Sequence, residues 1–327
     1  MSDSTQLLGI SNAIVDILSH VDQSFIDDIG AVTGAMNLID KDRAREIYEK
    51  MGPATEMSGG SVANTVAGFA NLGGAGAYIG HVHDDQLGEI FNHDMRSLGI
   101  DIRLEPAKDG APTARSYILI TPDGQRTMNT YLGSCTELGI DDVTPQSVGA
   151  PKAILLEGYV WDIAEGPALA RKAMDIAAKV GAKVVLSLSD SFCVERHRES
   201  FHDAVVNGVD IVIADEDEIN ALMQTERFEE TLDAISGYVN LFVMTRSEQG
   251  SVIVHGDQTV VQAASPVRKV VDTTGAGDAY CAGFLYGWAN DWSLKESARL
   301  GTHCATQVIQ QVGARIPQGV MQSFVAR

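Results

Sequence analysis

The second half of the chain alternates short, almost wholly apolar segments with amphipathic ones, and this alternation restricts the fold more than any other feature. The apolar segments predict strands at residues 153–157, 183–188, 209–214 and 241–245. The amphipathic segments predict helices at residues 166–180, 194–206, 217–223, 277–289 and 293–311. Short strands of continuous apolar residues are typical of a parallel sheet that helices cover on both faces. The sequence therefore predicts an α/β fold built on a doubly wound, mainly parallel sheet.

The first half of the chain is less regular and contains a predicted hairpin. The remaining elements are predicted as strands at residues 7–17 and 77–82 and as helices at residues 61–72 and 86–98. Strands at residues 114–120 and 125–131 flank Thr121-Pro122-Asp123-Gly124, a sequence typical of tight turns. Because a hairpin lies outside the layering of a parallel sheet, we expect a small β lid formed by parts of about 10–40 and 100–132. No linker or repeat divides the chain, which predicts a single domain over residues 1–327.

The composition limits the partners of the chain. Acidic residues number 44 against 24 basic ones, so the formal net charge is −20 and we expect no nucleic-acid partner. A phosphate site in such a chain needs local positive potential from helix ends, backbone N–H groups or a metal ion. No apolar run approaches the ~20 residues that a membrane span needs. The four cysteines lie far apart in the sequence without metal-ligand spacing, which favours reduced thiols. We therefore expect a cytoplasmic protein without membrane contact.

The most informative segment covers residues 270–287, VVDTTGAGDAYCAGFLYG. It runs through Gly275-Ala276-Gly277-Asp278 into a helix rich in small residues. Glycines at a helix start let backbone N–H groups converge on one point, where the helix dipole adds about half a positive charge. A carboxylate beside this anion hole makes sense if a reacting hydroxyl lies between it and a phosphate, because Asp278 can then take the hydroxyl proton. The structural alternative is an ordinary Asp that caps the helix after a tight turn.

Two other phosphate-binding motifs do not match this segment. A dinucleotide-binding fingerprint has Gly or Ala three residues after its second glycine, where this chain has Tyr280. A P-loop requires Gly-Lys followed by Ser or Thr, and the chain contains no such string. The segment therefore indicates a different kind of phosphate site.

A second glycine-rich segment covers residues 57–74, MSGGSVANTVAGFANLGG. Gly59 and Gly60 lie just before its predicted helix, and Ser61 and Asn64 lie on the first turn, so that Gly60 and Asn64 share a face. Paired glycine N–H groups beside an amide side chain suit the binding of sugar hydroxyls. The alternative is a helix that is capped by glycines and packed through small residues.

Together the two segments resemble the signature regions of the PfkB, or ribokinase-like, carbohydrate kinase family, and the resemblance spans nearly the whole chain. It implies a ribokinase-like fold with a small β lid. It also implies an enzyme that transfers the γ-phosphate of ATP to a hydroxyl of a small, ribose-containing molecule. In such an enzyme Asp278 would be the catalytic base, residues 275–277 would form the anion hole, and residues 59–64 would bind the substrate.

Within this family, the opening of the chain is most similar to that of adenosine kinases. Residues 9–16, GISNAIVD, resemble the G-x-x-N-x-x-x-D opening of that group. Asn12 and Asp16 would share one face of the strand predicted at residues 7–17, where an amide and a carboxylate suit a vicinal diol. Residues 302–305, THCA, resemble the stretch in which a histidine borders the adenine of ATP, which implies this role for His303.

The family motif N-x-x-E, which organises magnesium and phosphates, appears here as DEDE at residues 215–218, with Asp in place of Asn. The resemblance implies that Asp215 and Glu218 reach Mg²⁺ through water, whereas the alternative is a favourable acidic helix start. The nucleotide-loop pattern T-x-G implies ATP contacts for Thr245 and Gly250, although Ser247 stands where the family has glycine.

Several side chains outside these motifs have two interpretations. The resemblance implies a potassium-type ion near Asp272 and Thr274. Arg126, which follows the lid turn, would bind the substrate and meet the transferred phosphate, or it is a solvated hairpin arginine. His81 and His83 would alternate along a strand and face one way, but no third ligand for a metal is evident.

The phosphoryl acceptor is predicted to be adenosine, converted to AMP in purine salvage. Leu38, Tyr159, Val160 and Trp161 would form an apolar slot for the base. Tyr159 and Trp161 follow a strand end and would stack on the base, or they pack in the core instead. A sugar kinase that acts on ribose, fructose or a related sugar is the main alternative. A nucleoside-binding protein without activity is the weaker one, because a binder has no use for the base Asp278. The oligomeric state stays open between a monomer and a homodimer.

Overall fold

A computed structural model describes residues 5–34 and 36–325. The strands are β1 (Leu7–Ile10), β2 (Ile14–His20), β3 (Met36–Leu38), β4 (Thr55–Gly59), β5 (Gly76–Ile79), β6 (Asp101–Ile102), β7 (Ala114–Ile120), β8 (Arg126–Tyr131), β9 (Ala153–Glu157), β10 (Lys183–Ser187), β11 (Ile211–Asp215), β12 (Leu241–Thr245), β13 (Ser251–His255) and β14 (Gln258–Gln262). The helices are α1 (Gln23–Asp28), α2 (Lys41–Lys50), α3 (Ser61–Asn71), α4 (Gln86–Ser97), α5 (Pro145–Val148), α6 (Gly166–Val180), α7 (Ser191–Asn207), α8 (Glu216–Met223), α9 (Phe228–Ser236), α10 (Ala276–Ala289), α11 (Leu294–Val308) and α12 (Val320–Val325). No helix in the described ranges is long and apolar enough to cross a membrane.

The larger sheet is mainly parallel, as the sequence predicts, and its strand order is β14-β13-β12-β11-β10-β9-β1-β5-β6. In this sheet order, every strand from β12 through to β6 runs parallel to its neighbours. Strands β13 and β14 add an antiparallel edge beside β12. Strand β1 lies between β5 and β9, so the order of the sheet reverses there. In open α/β sheets the carboxyl ends of the strands form a ligand crevice at such a point. The fold therefore places its crevice beside the segment that follows β1.

Helix α10 is held between α3 and α11 by close contacts of small residues. A Cβ added to Gly68 of α3 would lie 2.8 Å from the Cβ of Ala282 on α10. A Cβ added to Gly283 would lie 2.8 Å from the backbone of Gly301 on α11. Because protein interiors are close-packed, larger residues at these positions would separate the helices. The small residues after the glycine turn thus bring the first turn of α10 beside the start of α3.

A second sheet has the strand order β3-β8-β7-β2-β4. Strands β7 and β8 form the predicted hairpin, with Ile120 opposite Arg126. Strand β4 also joins this sheet, although the predicted lid segments did not include it. Helices α1 and α2 bury their apolar side chains against one face of the sheet, through Ile26, Ala44, Ile47, Val15, Ile17 and Tyr117. Arg126 reaches from the sheet to Asp272, so the other face looks toward the crevice.

Two sequence predictions about the first half are wrong. Residues 7–17 do not form one strand, because β1 and β2 belong to different sheets and a turn at residues 11–13 separates them. This turn is polar, and the N–H of Asn12 donates to the Glu157 carboxylate at the end of the neighbouring strand. His81 and His83 do not share a strand, since β5 ends at Ile79. Within the described residues, no cluster of three His, Cys, Asp or Glu side chains could hold a metal ion.

The second sheet is expected to move as a lid, which stays a prediction. Amides of β7 and β8 should exchange faster than those of β9 and β10 in the free protein, because the lid covers an open crevice. Addition of adenosine and a non-hydrolysable ATP analogue should then slow their exchange. Hydrogen–deuterium exchange measured by mass spectrometry checks this, with α6 as the internal control. Equal protection of the hairpin in both states would make the sheet a fixed part of the body.

Candidate active site

The Asp278 carboxylate lies on the first turn of α10 and is gripped by the first turn of α3. Its Oδ1 accepts a hydrogen bond from the Ser61 hydroxyl at 2.7 Å, and its Oδ2 accepts one from the Asn64 amide at 3.0 Å. Thr65 Oγ1 also donates to the Asp278 carbonyl at 3.3 Å. The residue that caps α10 is Gly275, and the Asp278 side chain makes no cap bond to its own helix. The capping alternative for Asp278 is therefore wrong.

The glycine turn before Asp278 has the backbone shape that a helix start with converging N–H groups requires. Gly275 has a φ of 74°, a left-handed conformation that favours glycine. A Cβ on Gly275 would also lie 2.5 Å from that of Ala314. Gly277 has no atom within 4 Å of where its Cβ would lie and is exposed. The N-terminal end of α10, from Ala276 onward, thus faces open space in which an anion fits.

Gly59 and Gly60 shape the side of the crevice that lies at the start of α3. A Cβ on Gly59 would overlap the carboxylate of Asp16, so glycine leaves room for that carboxylate. Gly60 has a φ of 90° and caps α3, and its Cβ would lie 2.7 Å from the Asn12 carbonyl. The glycine-cap interpretation of this segment holds, but Ser61 and Asn64 of the same turn also bond to Asp278. These two side chains orient the carboxylate.

Asn12 and Asp16 border the same crevice, although not for the reason predicted. Asp16 lies on β2 and Asn12 lies in the turn before it, so they do not share a strand face. The side chain of Asn12 is buried, and its Oδ1 has no hydrogen-bond partner within the described part of the chain. An unpaired buried amide oxygen costs free energy unless a donor reaches it. A substrate hydroxyl would supply such a donor.

Glu157 is a site residue that the sequence reasoning missed. It ends β9, is 1% exposed, and accepts hydrogen bonds from the backbone N–H groups of Asn12 at 2.8 Å and Val62 at 3.4 Å. The carboxylate therefore lies under the N-terminus of α3, which favours negative charge. A charged residue at the carboxyl end of an otherwise apolar strand was a signal available in the sequence.

The carboxylates of the crevice share a desolvated environment that raises their pKa values. Burial raises the pKa of Asp278 to about 6, against the lowering effects of Ser61, Asn64 and Arg315. Burial also raises the pKa of Asp16 to about 7, opposed first by the Arg315 charge. The pKa of Glu157 rises to about 7, again mainly through burial. Groups poised near neutral pH in a cleft are typical of catalytic sites.

Arg126 connects the second sheet to the glycine turn. Its guanidinium lies 2.5 Å from the Asp272 carboxylate and donates to the Thr274 hydroxyl at 3.3 Å. The same carboxylate accepts N–H bonds from Thr274 at 2.9 Å and Gly313 at 2.8 Å. Arg126 is therefore not a solvated hairpin arginine. A monovalent cation near Asp272 and Thr274 would therefore share the Asp272 carboxylate with Arg126, and it stays a prediction.

Asp215 and Glu218 form a capping box at the start of α8. The N–H of Asp215 donates to Glu218 at 2.9 Å, and the N–H of Glu218 donates to Asp215 at 2.8 Å. The pKa of Glu218 rises to about 8 through burial and through the charges of Asp215 and Asp190. Crowded carboxylates of this kind fit a cation, and each keeps one oxygen free of these two bonds. The helix-start interpretation and a magnesium role through water are thus compatible.

The predicted nucleotide loop follows β12, next to the start of α8. Thr245 pairs with Asp215 across β11 and β12, at the carboxyl ends of both strands. Gly250 has a φ of 90°, and a Cβ there would overlap the Gln262 carbonyl, so it serves the β13–β14 hairpin. Ser247, which stands in place of the family's glycine, has a φ of 47° and keeps the left-handed turn.

The predicted slot for the base is not assembled. Val160 is completely buried, and Trp161 stacks on Phe201 with ring centroids 4.6 Å apart in the core. Tyr159 is near Glu157 and Glu218, whose charges add to the burial that raises its pKa. Leu38 is 53% exposed on β3 of the second sheet. These side chains do not meet, because the helical turn after β9 directs two of them into the core.

His303 is buried on α11 beneath the C-terminal helix α12. Its Nε2 lies 2.8 Å from the Ser323 hydroxyl, and its ring packs against Phe324 with centroids 5.6 Å apart. These contacts tie the two helices together. The adenine contact of His303 stays a prediction.

The sequence as a whole matches that of a known group of enzymes. The profile of the pfkB family carbohydrate kinases matches residues 28–319. The chain belongs to this family. Like the other PfkB kinases it is an ATP-dependent enzyme that phosphorylates a hydroxyl group, and its fold is ribokinase-like, as predicted.

Solved structures of PfkB kinases superpose on nearly the whole chain. An adenosine kinase from Sinorhizobium meliloti is 47% identical, with a TM-score of 0.92 and 99% of each chain covered. A probable sugar kinase from Rhizobium etli CFN 42 is 44% identical, with a TM-score of 0.92 and 98% of each chain covered. Among curated proteins, the 5-dehydro-2-deoxygluconokinase of Geobacillus kaustophilus (strain HTA426) is 27% identical over 284 residues, 81% of this chain and 84% of its own. These relatives differ in their named acceptors.

Asp278→Asn is expected to lower kcat by about 10²–10⁴, because the amide cannot take a proton. In the unmutated enzyme kcat should fall as the pH drops through about 6, where Asp278 becomes protonated. The variant should lack this acid limb even though Asp16 and Glu157 still titrate. Steady-state kinetics from pH 5 to 8 checks this, with Asp203→Asn on the exposed side of α7 as control. Near-normal turnover of the variant would exclude Asp278 as the base.

Proposed function

We propose that this PfkB kinase transfers the γ-phosphate of ATP to the 5′-hydroxyl of adenosine. The main support for this reaction is the position of the Asp278 carboxylate. It lies directly after the glycine turn and accepts hydrogen bonds from Ser61 and Asn64. The acceptor hydroxyl would lie between Asp278 and the phosphate, with Asp278 taking its proton. The N–H groups at the start of α10 would stabilise the charge that develops on the phosphoryl oxygens. Closure of the lid sheet would exclude water and limit ATP hydrolysis.

The inner face of the lid sheet supports a nucleoside acceptor. The register places Asp16, Ser116, Thr130 and Leu38 on one face, since Asp16 pairs with Ser116, Ser116 with Thr130, and Thr130 with Leu38. By the same register this face also carries the apolar side chains of Ile14, Leu18, Ile118, Met36 and Met128. An apolar face beside the proposed diol-binding carboxylate suits a flat base.

Adenosine is further supported by the S. meliloti adenosine kinase, which is 47% identical to this chain. A sugar acceptor is the second candidate. It is favoured by the R. etli relative at 44% identity and by the burial of Val160 and Trp161, which removes half of the slot predicted from the sequence. The two candidates share the diol, so only the base distinguishes them.

We further propose that Asp215 and Glu218 hold Mg²⁺ through water. When bound, the ion would neutralise charge on the β- and γ-phosphates. Both side chains lie at the carboxyl edge of the sheet, and the Glu218 carboxyl responds to the charge of Asp278. The cation would thus lie on the nucleotide side of the crevice.

Glu218→Gln should raise the magnesium concentration needed for half-maximal rate several-fold. The amide oxygen can still accept the N–H bond of Asp215, so the helix cap survives while the charge is lost. Magnesium titrations at fixed ATP check this. Glu216→Gln, on the same turn but paired with Arg246, is the matched control. An unchanged magnesium dependence would reduce Asp215 and Glu218 to a helix cap.

Adenosine is expected to exceed ribose in kcat/KM by at least ~10²-fold. Loss of the base would remove roughly 150 Å² or more of apolar burial, worth several kcal/mol at ~25 cal/mol/Å². Rates of ADP release with adenosine, ribose, fructose and 5-dehydro-2-deoxygluconate measure this, with inosine as the control for the identity of the base. If a sugar or sugar acid is used as well as adenosine, the nucleoside assignment fails.

A further inference from the structure

Four consecutive residues in the loop after α11 touch both halves of the active site. Gly313 donates its N–H to Asp272 at 2.8 Å, and Ala314 lies against Gly275. Arg315 reaches Ser58 near the end of β4 and Ala63 on the first turn of α3. The next residue, Ile316, packs on Gly68 of α3 and accepts a hydrogen bond from Asn71. The loop therefore connects the glycine turn before Asp278 to the end of β4 and the start of α3, which would bind the acceptor.

The Arg315 guanidinium donates hydrogen bonds to Ser58 and Ala63, on either side of the glycine pair that would bind the acceptor. Its Nε and Nη2 both donate to the Ser58 carbonyl, at 3.3 and 2.9 Å, and Nη2 donates to the Ser58 hydroxyl at 2.8 Å. Its Nη1 donates to the Ala63 carbonyl at 2.8 Å. Ser58 immediately precedes the glycine pair, and Ala63 lies on the first turn of α3. A planar fork of donors thus spans the turn on which Ser61 and Asn64 are carried.

The positive charge of Arg315 has a second consequence. The partners of its hydrogen bonds are carbonyls, a hydroxyl and the Met95 sulfur, all neutral groups, so the charge is left to act on carboxylates farther away. It lowers the pKa of Asp16, where it is the largest opposing effect to burial, and it lowers the pKa of Asp278. Low local polarity strengthens such effects in a cleft.

We propose that Arg315 is a positioning residue for phosphoryl transfer, which fixes the Ser58–Ala63 turn by its fork and stabilises the anionic form of Asp278 by its charge. The proposal deepens the assignment above and rests on the role of Asp278 as base. The chemistry itself does not pass through Arg315, because its donors face the protein backbone. Substitution should therefore change the position and ionisation of groups that act, without removing any of them.

The charged and titratable groups that face Asp278 or Arg315 come from every element packed around them. They are Asp16 on β2, Tyr78 on β5, Asp94 on α4, Glu157 on β9, Glu218 on α8 and Cys281 on α10, while Arg126 on β8 acts on Asp16. Most of these groups are acids. Loss of the Arg315 charge leaves Asp278 among them with less compensation, so its proton should become harder to remove.

The test separates the two roles of Arg315. Arg315→Gln removes the charge and should move the acid limb of kcat from about pH 6 upward by about half a unit or more. Arg315→Lys keeps the charge but loses the fork, so the limb should stay in place while the KM for adenosine rises about tenfold. Arg103→Gln is the matched control, a partly buried arginine that reaches Thr5 before β1. Its acid limb and KM should equal those of the unmutated enzyme.

Three results would overturn the proposal. One is an Arg315→Gln variant that loses thermal stability but keeps its acid limb and KM, which would make Arg315 purely structural. Another is an Arg315→Lys variant with unchanged KM. If the Gln variant does not fold, Ser58→Ala removes one acceptor of the fork, and an unchanged KM for adenosine in that variant counts equally against positioning. Failure of the base assignment shows separately, as an acid limb that persists in Asp278→Asn.

Discussion

The contact between the Asp278 carboxylate and the first turn of α3 is the interaction on which the site depends. The carboxylate is desolvated, and a buried charge is tolerated only where hydrogen bonds or opposite charge compensate it. Ser61 and Asn64 supply the hydrogen bonds, and Arg315 supplies the opposite charge. The residual cost appears as a pKa of about 6, which leaves the group mostly ionised at neutral pH and still able to accept a proton.

Close packing of small residues is what brings these partners together. Gly68 and Ala282 let α3 and α10 approach, while Gly283 and Gly301 let α11 follow on the other side of α10. The loop after α11 then lies against both glycine turns. The small residues of α10 therefore determine where the Asp278 carboxylate lies relative to α3.

An acidic protein that binds ATP must create positive potential locally. With a net charge of −20, the chain places Arg126 and Arg315 at the crevice together with the N-terminal ends of α3 and α10. Arg126 lies on β8 of the second sheet and is paired with Asp272, whereas Arg315 is bonded to β4 and the first turn of α3. The two cations therefore reach the crevice from different parts of the fold.

Local features of the sequence determined the class of the fold and the centre of the site. Periodicity over a few residues predicted the parallel sheet, the hairpin of β7 and β8, and the glycine turn that places Asp278 at a helix start, because these depend on neighbours along the chain. Only the tertiary structure decided the partners of that carboxylate. Ser61 and Asp278 are 217 positions apart, and Arg315 and Ser58 are 257 apart. It also split residues 7–17 between two sheets and sent Val160 and Trp161 into the core, because burial depends on contacts between distant segments, which no local pattern records.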